Sequence, residues 1–425
     1  MKITNAKMWA LNLPFRNDRV ESAMQRANTQ GERIYVYRLE TEDGSVGYGD
    51  STTASPVGSL PGRPLFGLIN DDSIGIGPQI AALDAAGKAA GVPVHALLGE
   101  KIRSRVQLSW WAIDMAPADW VAEAEDAAAA GFTSMKLKAR PWRDIVDQIG
   151  QVGKAVPTDF KLDVDFNGFL LTQAKAEGVL GELDGHPNVG LFESPFYMHT
   201  KADAGRLLRE RIRTPIVEHF NSRLVAEQVA DGTIIGGEAS VVRHQAALAA
   251  AANQPFFLQF VGTGITAAYV VQLASVLSHA HLPHITCHSL WKHDLLKKPL
   301  ELCSGFCPVS ETPGLGIEVD ESAIARYAVD EDESTPQADY RRADRIMRVT
   351  WPSGGDTRLW EFTDELYYQA EFYAGSIPGF MRGVDLDVIE DDGSTSFRES
   401  HDRVRRGEPS KAAAMAVLNK AHSPI

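Results

Sequence analysis

The chain is poor in cysteine, with three thiols, Cys287, Cys303 and Cys307, in 425 residues. That is too few for a disulfide framework and fits a reducing cytoplasm. Cys303 and Cys307 are spaced as some metal ligands are, but two thiols without histidine partners nearby are more often plain packing. Long apolar runs are missing too, and none approaches the roughly 20 residues of a membrane span. The N-terminal MKITNAKMWALNLPFRND has no long apolar core and no small-residue cleavage site, so no signal peptide is expected. Positive charge is in deficit: 42 Lys and Arg face 56 Asp and Glu, for a net charge of −14. This argues against nucleic acid or an anionic membrane as partner and says nothing against a small anion held by a metal.

What is present is ordinary globular composition, 44% hydrophobic and 23% charged, in a chain longer than one average domain. IYVYRLETEDGSVGYGD, residues 34–50, alternates apolar and polar on both sides of Glu-Asp-Gly and predicts a hairpin in an antiparallel sheet. Helical spacing of Ala and Leu follows from Gly77 to Leu98, broken at Gly91-Val-Pro93. After Arg105, short β-rich runs alternate with Ala-rich helical ones, the signature of βα units. Strands are expected at 107–112, 133–139, 160–167, 189–196, 214–220, 232–238, 255–260 and 284–289, enough for a (β/α)8 barrel. The fold class expected is therefore α/β: a TIM-like barrel at 105–309, an α+β capping domain at 1–104, and a C-terminal segment, 310–425, that returns to the cap and adds an extension. VDEDESTPQAD predicts a surface linker, after which IMRVTW-PSGGD-TRLWEF predicts a hairpin and then a helix through Tyr373. Trp351, Trp360, Tyr367, Tyr368, Phe372 and Phe380 would be anomalous in a solvated segment, so this tail is expected to fold, on the cap or on a neighbouring subunit. Only the last stretch, rich in Arg, Ser and Lys, is expected to be loose.

Polar residues recur at the βα period. Lys136 and Lys138 close the second predicted strand, Asp165 and Asn167 the third, and Glu193 the fourth. The strands of such a barrel open their C-terminal ends at one mouth, so these residues meet there although distant in sequence. Side chains two apart on a strand share a face, which aims each pair the same way. Two ammonium groups side by side lower a lysine pKa toward the range of a base; the plainer alternative is a solvated strand end. Oxygen ligands in this arrangement suit Mg²⁺, which takes a few carboxylates and keeps its other positions for water or substrate.

The order Lys-x-Lys, Asp-x-Asn, Glu-x-Pro on consecutive strands resembles the enolase superfamily, in the group of mandelate racemase and muconate lactonizing enzyme. DGSVGYGD, ALDAAGKAAGVPVHALLG and SETPGLGIEVDE are similar to that family's cap segments, and the resemblance runs over most of residues 1–327. It implies that Lys138 takes the proton α to a substrate carboxylate, with Lys136 beside it. It also implies that a divalent cation held by Asp165 and Glu193 stabilises the resulting enediolate. A third ligand is expected about five residues after the proline of the fifth strand, but that position is Phe220. Glu218 is favoured, 25 residues after Glu193, with His219 as the alternative and Asn167 as a further one.

On the far side of the mouth the chain departs from its relatives, since Gly236-Gly-Glu238 and Gln259-Phe-Val-Gly-Thr-Gly264 offer no second lysine. A racemase needs bases on both faces, so that reading depends on Glu238 or His288. His288 is a candidate proton donor to a leaving hydroxyl; a hydrogen-bonded structural histidine is the plainer account of it, and of His284 and His293. Trp110, ending the first strand, is a candidate wall for substrate, and Arg19, with Arg16 and Arg26, a candidate clamp for its carboxylate. The sequence therefore predicts a cytoplasmic, homo-oligomeric, Mg²⁺-dependent lyase acting on a small carboxylate, most readily a sugar acid that it dehydrates. The alternatives are a racemase, epimerase or cycloisomerase of the same superfamily, and a non-catalytic metal-binding barrel. An amidohydrolase-type metallohydrolase is excluded because SWWAIDM has no His-x-His.

Overall fold

The computed structural model describes residues 1–27, 33–333, 345–353, 356–363 and 365–407. Strands β1 (Ile3–Asn12), β2 (Arg33–Thr41) and β3 (Val46–Ser51) form an antiparallel sheet. The expected hairpin is β2–β3, turned at Gly44 with φ 80, where a side chain would be strained. The glycines of β3 answer a different need. The helix Ile76–Ala90 lies so close to the sheet that a Cβ on Gly49 would stand 2.0 Å from the Gly77 carbonyl oxygen. That helix ends at Gly91, left-handed with φ 68, just before Pro93. Its buried Asp84 accepts from Tyr48 N (3.0 Å), Lys88 Nζ (2.7 Å) and Leu315 N (2.8 Å), pinning helix, sheet and the returning chain together.

Eight parallel strands follow: β4 (Arg105–Ala112), β5 (Ser134–Lys138), β6 (Lys161–Asp165), β7 (Val189–Glu193), β8 (Ile216–His219), β9 (Gly232–Ile235), β10 (Phe256–Leu258) and β11 (His284–Ile285). They pair in sequence order, β11 returns to β4, and a parallel bridge between Gln259 and Ile285 joins the remaining edges. All eight expected strands are present, the last only two residues long. Every residue of β5 is buried, as suits a strand covered on both faces. Buried His284 accepts from Leu258 N at 2.9 Å across the β10–β11 seam, where burial pulls its pKa down to about 3. Strand β12 (Phe306–Pro308) adds antiparallel to the start of β4, and β13 (Ala328–Val329) pairs with β1, bringing the chain back to the cap sheet. No helix among the described residues is long and apolar enough to cross a membrane.

The C-terminal chain forms its own three-stranded antiparallel sheet, with β14 (Arg345–Ser353) between β15 (Asp356–Phe362) and β16 (Asp385–Glu390). Helices Glu365–Tyr373 and Thr395–Gly407 complete it. The expected hairpin and first helix are there; β16 and the last helix were not foreseen. Most of the predicted acidic linker, the Gly354-Gly355 turn and the stretch after Gly407 lie outside the described residues. Among the described residues the tail, expected on the cap or on a neighbouring subunit, packs on the barrel as well as on the cap. Trp351, Tyr367, Tyr368 and Phe372 share a buried cluster with Trp142 and Phe169, which stand on the loops after β5 and β6. Arg143 reaches Asp385 at 2.7 Å and Arg382 reaches Asp144 at 3.0 Å. From the cap, Arg26 reaches Glu365 at 3.2 Å, an ion pair buried on both sides.

Candidate active site

Strands β5, β6, β7 and β8 end beside one another, so Lys138, Asp165, Glu193 and Glu218 lie on four consecutive strand ends. The two lysines share a face, as the period of two requires, but do different work. Lys136 is 1% exposed and closed in by partners. Its Nζ lies 2.5 Å from Glu193 Oε2 and 3.4 Å from Asp165 Oδ2, and it donates to Gln259 Oε1. Burial alone would lower its pKa, yet Glu193 and Asp165 together raise it, so Lys136 is a fixed ammonium. Lys138 faces an open cavity and donates to Asp165 Oδ2 at 2.5 Å. There burial pulls its pKa below the ordinary lysine value, and the ammonium of Lys136 adds to the effect.

The carboxylates are just as unequal. Burial would raise Asp165, but Lys138 and Lys136 hold it well below the usual carboxylate range. Burial and the neighbouring Asp165 push Glu193 up to about 8, and burial pushes Glu218 up to about 7. Glu218 accepts through Oε1 from Ser194 Oγ (2.6 Å) and from His219 N (2.8 Å). Its Oε2 is buried without a hydrogen-bond donor, whereas Glu193 Oε2 meets the Lys136 ammonium at 2.5 Å. Buried carboxylate oxygens of this kind are costly unless a cation meets them, and an all-oxygen set is what a hard divalent ion takes. The donor set therefore suits Mg²⁺ in kind. In position it is looser, since among the described residues no three His, Cys, Asp or Glu side chains converge as a finished metal site and Lys136 stands between Asp165 and Glu193.

Asn167 and Ser194 follow the β6 and β7 ends with φ 45 and φ 43, and these left-handed residues turn the chain across the mouth. Asn167 donates to both Asp165 oxygens, through N (2.8 Å) and Nδ2 (3.2 Å). His219 lines the same cavity, with Nε2 3.7 Å from Glu193 Oε1. Burial and the Lys136 ammonium lower its pKa to about 4.

Other candidates are not brought together with Lys138. His288 does not line its cavity; left-handed Cys287 (φ 57) turns the chain after two residues of β11, Nδ1 lies 2.6 Å from Thr286 Oγ1, and the ring faces Phe132 at 6.1 Å. Trp110 points out of the barrel: its Nε1 donates to Glu123 at 3.0 Å and Arg16 lies over its ring. Trp111, paired with Lys136, holds the inward register instead. Arg19 is occupied by Glu123 (2.8 Å) and Asp126, Arg16 by the same two carboxylates, and Arg26 by Asp114 and Glu365. These cap arginines hold the cap to the barrel. Glu238 lines a separate cavity with Asp50, Ser51 and Gln259, between the end of β3 and the loops after β9 and β10.

The cavity of Lys138 holds about 440 Å³. Part of its wall is made by residues sequence reasoning missed: Arg140, Phe169, Tyr197, and Leu366 and Gln369 from the C-terminal helix. Arg140 was within reach of that reasoning, because it continues the Lys-x-Lys alternation by one more step. The C-terminal residues carry no comparable signal, since their place depends on how a separate sheet docks.

Residues 119–323 match the family described as enolase C-terminal domain-like. A probable glucarate dehydratase of Streptomyces coelicolor is 26% identical over 310 residues, 66% of this chain and 72% of that protein. A muconate cycloisomerase of Acinetobacter lwoffii is 22% identical over 363 residues, 72% of this chain and 91% of that one. Among solved structures, the N-succinyl Arg/Lys racemase of Bacillus cereus superposes with a TM-score of 0.66 at 21% identity, over 78% of this chain and 99% of that chain.

Proposed function

Because the chain belongs to the enolase superfamily, in the mandelate racemase and muconate lactonizing enzyme group, and is an enzyme of the lyase or isomerase class, we propose that it removes the α-proton of a small carboxylate with Mg²⁺ and then eliminates a β-hydroxyl, acting as a sugar-acid dehydratase. The observation that carries this is the division of labour between the lysines, with Lys136 sealed against Glu193 and Lys138 alone reaching the cavity. Lys138, its pKa lowered by burial, takes the proton through Nζ, and Asp165 beside it orients the ammonium that forms. Lys136 supplies a permanent positive charge at the root of the site. Asp165, Glu193 and Glu218 would hold the cation. When bound, it supplies fixed positive charge that favours the enediolate over the very weakly acidic substrate.

Elimination also needs a donor for the departing hydroxyl. Of the histidines, His219 lines the cavity and His288 does not, but a pKa lowered to about 4 leaves His219 neutral near pH 7. Glu218, on the same wall and raised to about 7, is the better donor when it is protonated. Two-base racemisation is disfavoured by the same wall: Gln259 sits against Lys136, and Glu238 opens on a different cavity. Dehydration is also in keeping with the glucarate dehydratase relative. A screen of acid sugars with Mg²⁺, read by formation of 2-keto acids, is the direct test. Lys138→Ala and removal of Mg²⁺ by chelation should each abolish turnover, and activity surviving either would end this mechanism. Deuterium entering at the α-carbon without loss of water would instead move the reading to an epimerase or cycloisomerase.

A further inference from the structure

We propose that the mouth contains a second anion subsite, built by Arg140 against the C-terminal helix Glu365–Tyr373, so that the enzyme selects acids carrying a carboxylate at both ends. This rests on the proton-abstraction reading and names the substrate class of that same site. Arg140 is 4% exposed yet lines the open cavity. Its Nη1 donates to Ala139 O at 3.0 Å and Asn167 Oδ1 at 3.2 Å, and its guanidinium lies over the Phe169 ring at 5.3 Å. Nε is buried with no acceptor, and among the described residues no carboxylate pairs with this cation.

The other charges facing the cavity are accounted for. Lys138 is paired with Asp165, Glu365 with Arg26 at 3.2 Å, and Glu218 belongs to the carboxylate set at the strand ends. A buried guanidinium with an idle donor and no counter-charge is costly unless a ligand brings the charge, and its fork matches a carboxylate.

Two residues of chain cannot separate the Lys138 and Arg140 Cα atoms by more than about 7 Å. An anion at Arg140 is therefore within reach of the molecule whose α-proton faces Lys138, and a second carboxylate on that molecule would supply it. Leu366 and Gln369, three apart on one helix face, stand across the same space, and the Gln369 amide can donate to that carboxylate.

Calorimetric titration of the full chain with Mg²⁺ tests this, using glucarate, with a carboxylate at each end, and gluconate, with one. Glucarate should bind at least about tenfold tighter, the size of one charge-assisted contact. Arg140→Gln should collapse the ratio of the two affinities toward one, Arg140→Lys should keep part of it, and Gln369→Leu should lower it about threefold or more. If Arg140→Gln does not fold, the other two variants carry the same test. Equal affinity of the wild type for the two acids, no binding of either, or a ratio unmoved by these variants would overturn the subsite. Since the readout is binding, turnover that survives Lys138→Ala would sink the chemistry and leave this result standing.

Discussion

Asp114, just past the end of β4, is 1% exposed and meets three parts of the chain. Its Oδ2 accepts from Arg26 Nη1 of the cap at 2.7 Å and from Trp142 Nε1 of the barrel loop at 2.8 Å, and Oδ1 lies 3.4 Å from Arg143 Nε. Replacing it by Asn takes a shared carboxylate from two buried guanidinium groups that keep Glu365 and Asp385, a change that should cost about 1–3 kcal/mol. The loss is measurable as a lower urea midpoint with unchanged slope. Burial would raise this carboxyl, but Arg26 and Arg143 hold it below its ordinary value of 3.8. Its contribution is therefore complete above that value and is lost as pH falls through the lower folded pKa. The wild type should lose stability below about pH 4 more steeply than Asp114→Asn, and parallel acid limbs for the two proteins would contradict this. The same residue shows what was hidden in the sequence at this scale. The cap arginines looked like free cations because their carboxylate partners, Asp114, Glu123 and Glu365, stand from 88 to 339 residues away. Arg140, two residues past the Lys-x-Lys pair, was overlooked for the opposite reason, because nothing local marks an arginine as unpaired.

At the scale of elements, the barrel was legible because its information is local. Each strand is a short β-rich run closed by polar residues, and βα alternation leaves few ways to arrange eight of them. Strand length was less legible: β11 stops after two residues, and its early turn carries His288 away from the mouth. Trp110 was the candidate wall, but the register of β4 against β5 assigns the inward face to its neighbour Trp111. Close approach between elements was visible only as glycine, without its reason. A Cβ at Gly49 would meet Gly77 O at 2.0 Å and Ala81 N at 2.7 Å, both backbone atoms that cannot swing aside. Gly49→Ala must push the helix Ile76–Ala90 off β3, and overpacking of this kind costs about 1–3 kcal/mol. Thermal unfolding should shift down by several degrees. The shift should exceed that of Gly44→Ala, where the turn has open space and only the positive φ is at stake. Gly49→Ala as stable as the wild type would mean that β3 and the helix are not locked together.

For the whole molecule, the decisive fact is that the cavity of Lys138 is walled by the barrel and by the C-terminal helix through Glu365, Leu366 and Gln369, with the cap reaching that wall through the Arg26–Glu365 pair. That the tail folds was readable from its aromatic content; where it docks was not, because Trp142 and Phe169 look like ordinary loop residues until Tyr368 packs edge-on to Trp142 at 5.0 Å. A chain ended at Val329 keeps β13 on β1 and retains the barrel, yet it uncovers Trp142 and Phe169 and removes Leu366 and Gln369 from the cavity. Exposing large aromatics forfeits roughly 1.5–3 kcal/mol apiece, and the loop bearing Arg140 and Arg143 loses Asp385 and the Leu386 carbonyl as anchors. The truncated protein should therefore retain far-ultraviolet helix and strand signal while binding hydrophobic dye and being cut by trypsin after Arg143, a bond the intact chain protects. Its turnover should fall by about a hundredfold or more, since displacing a positioned group by an ångström already costs that much. Full activity together with an unchanged tryptic pattern would make the C-terminal sheet an appendage, and the mouth would then be complete without it.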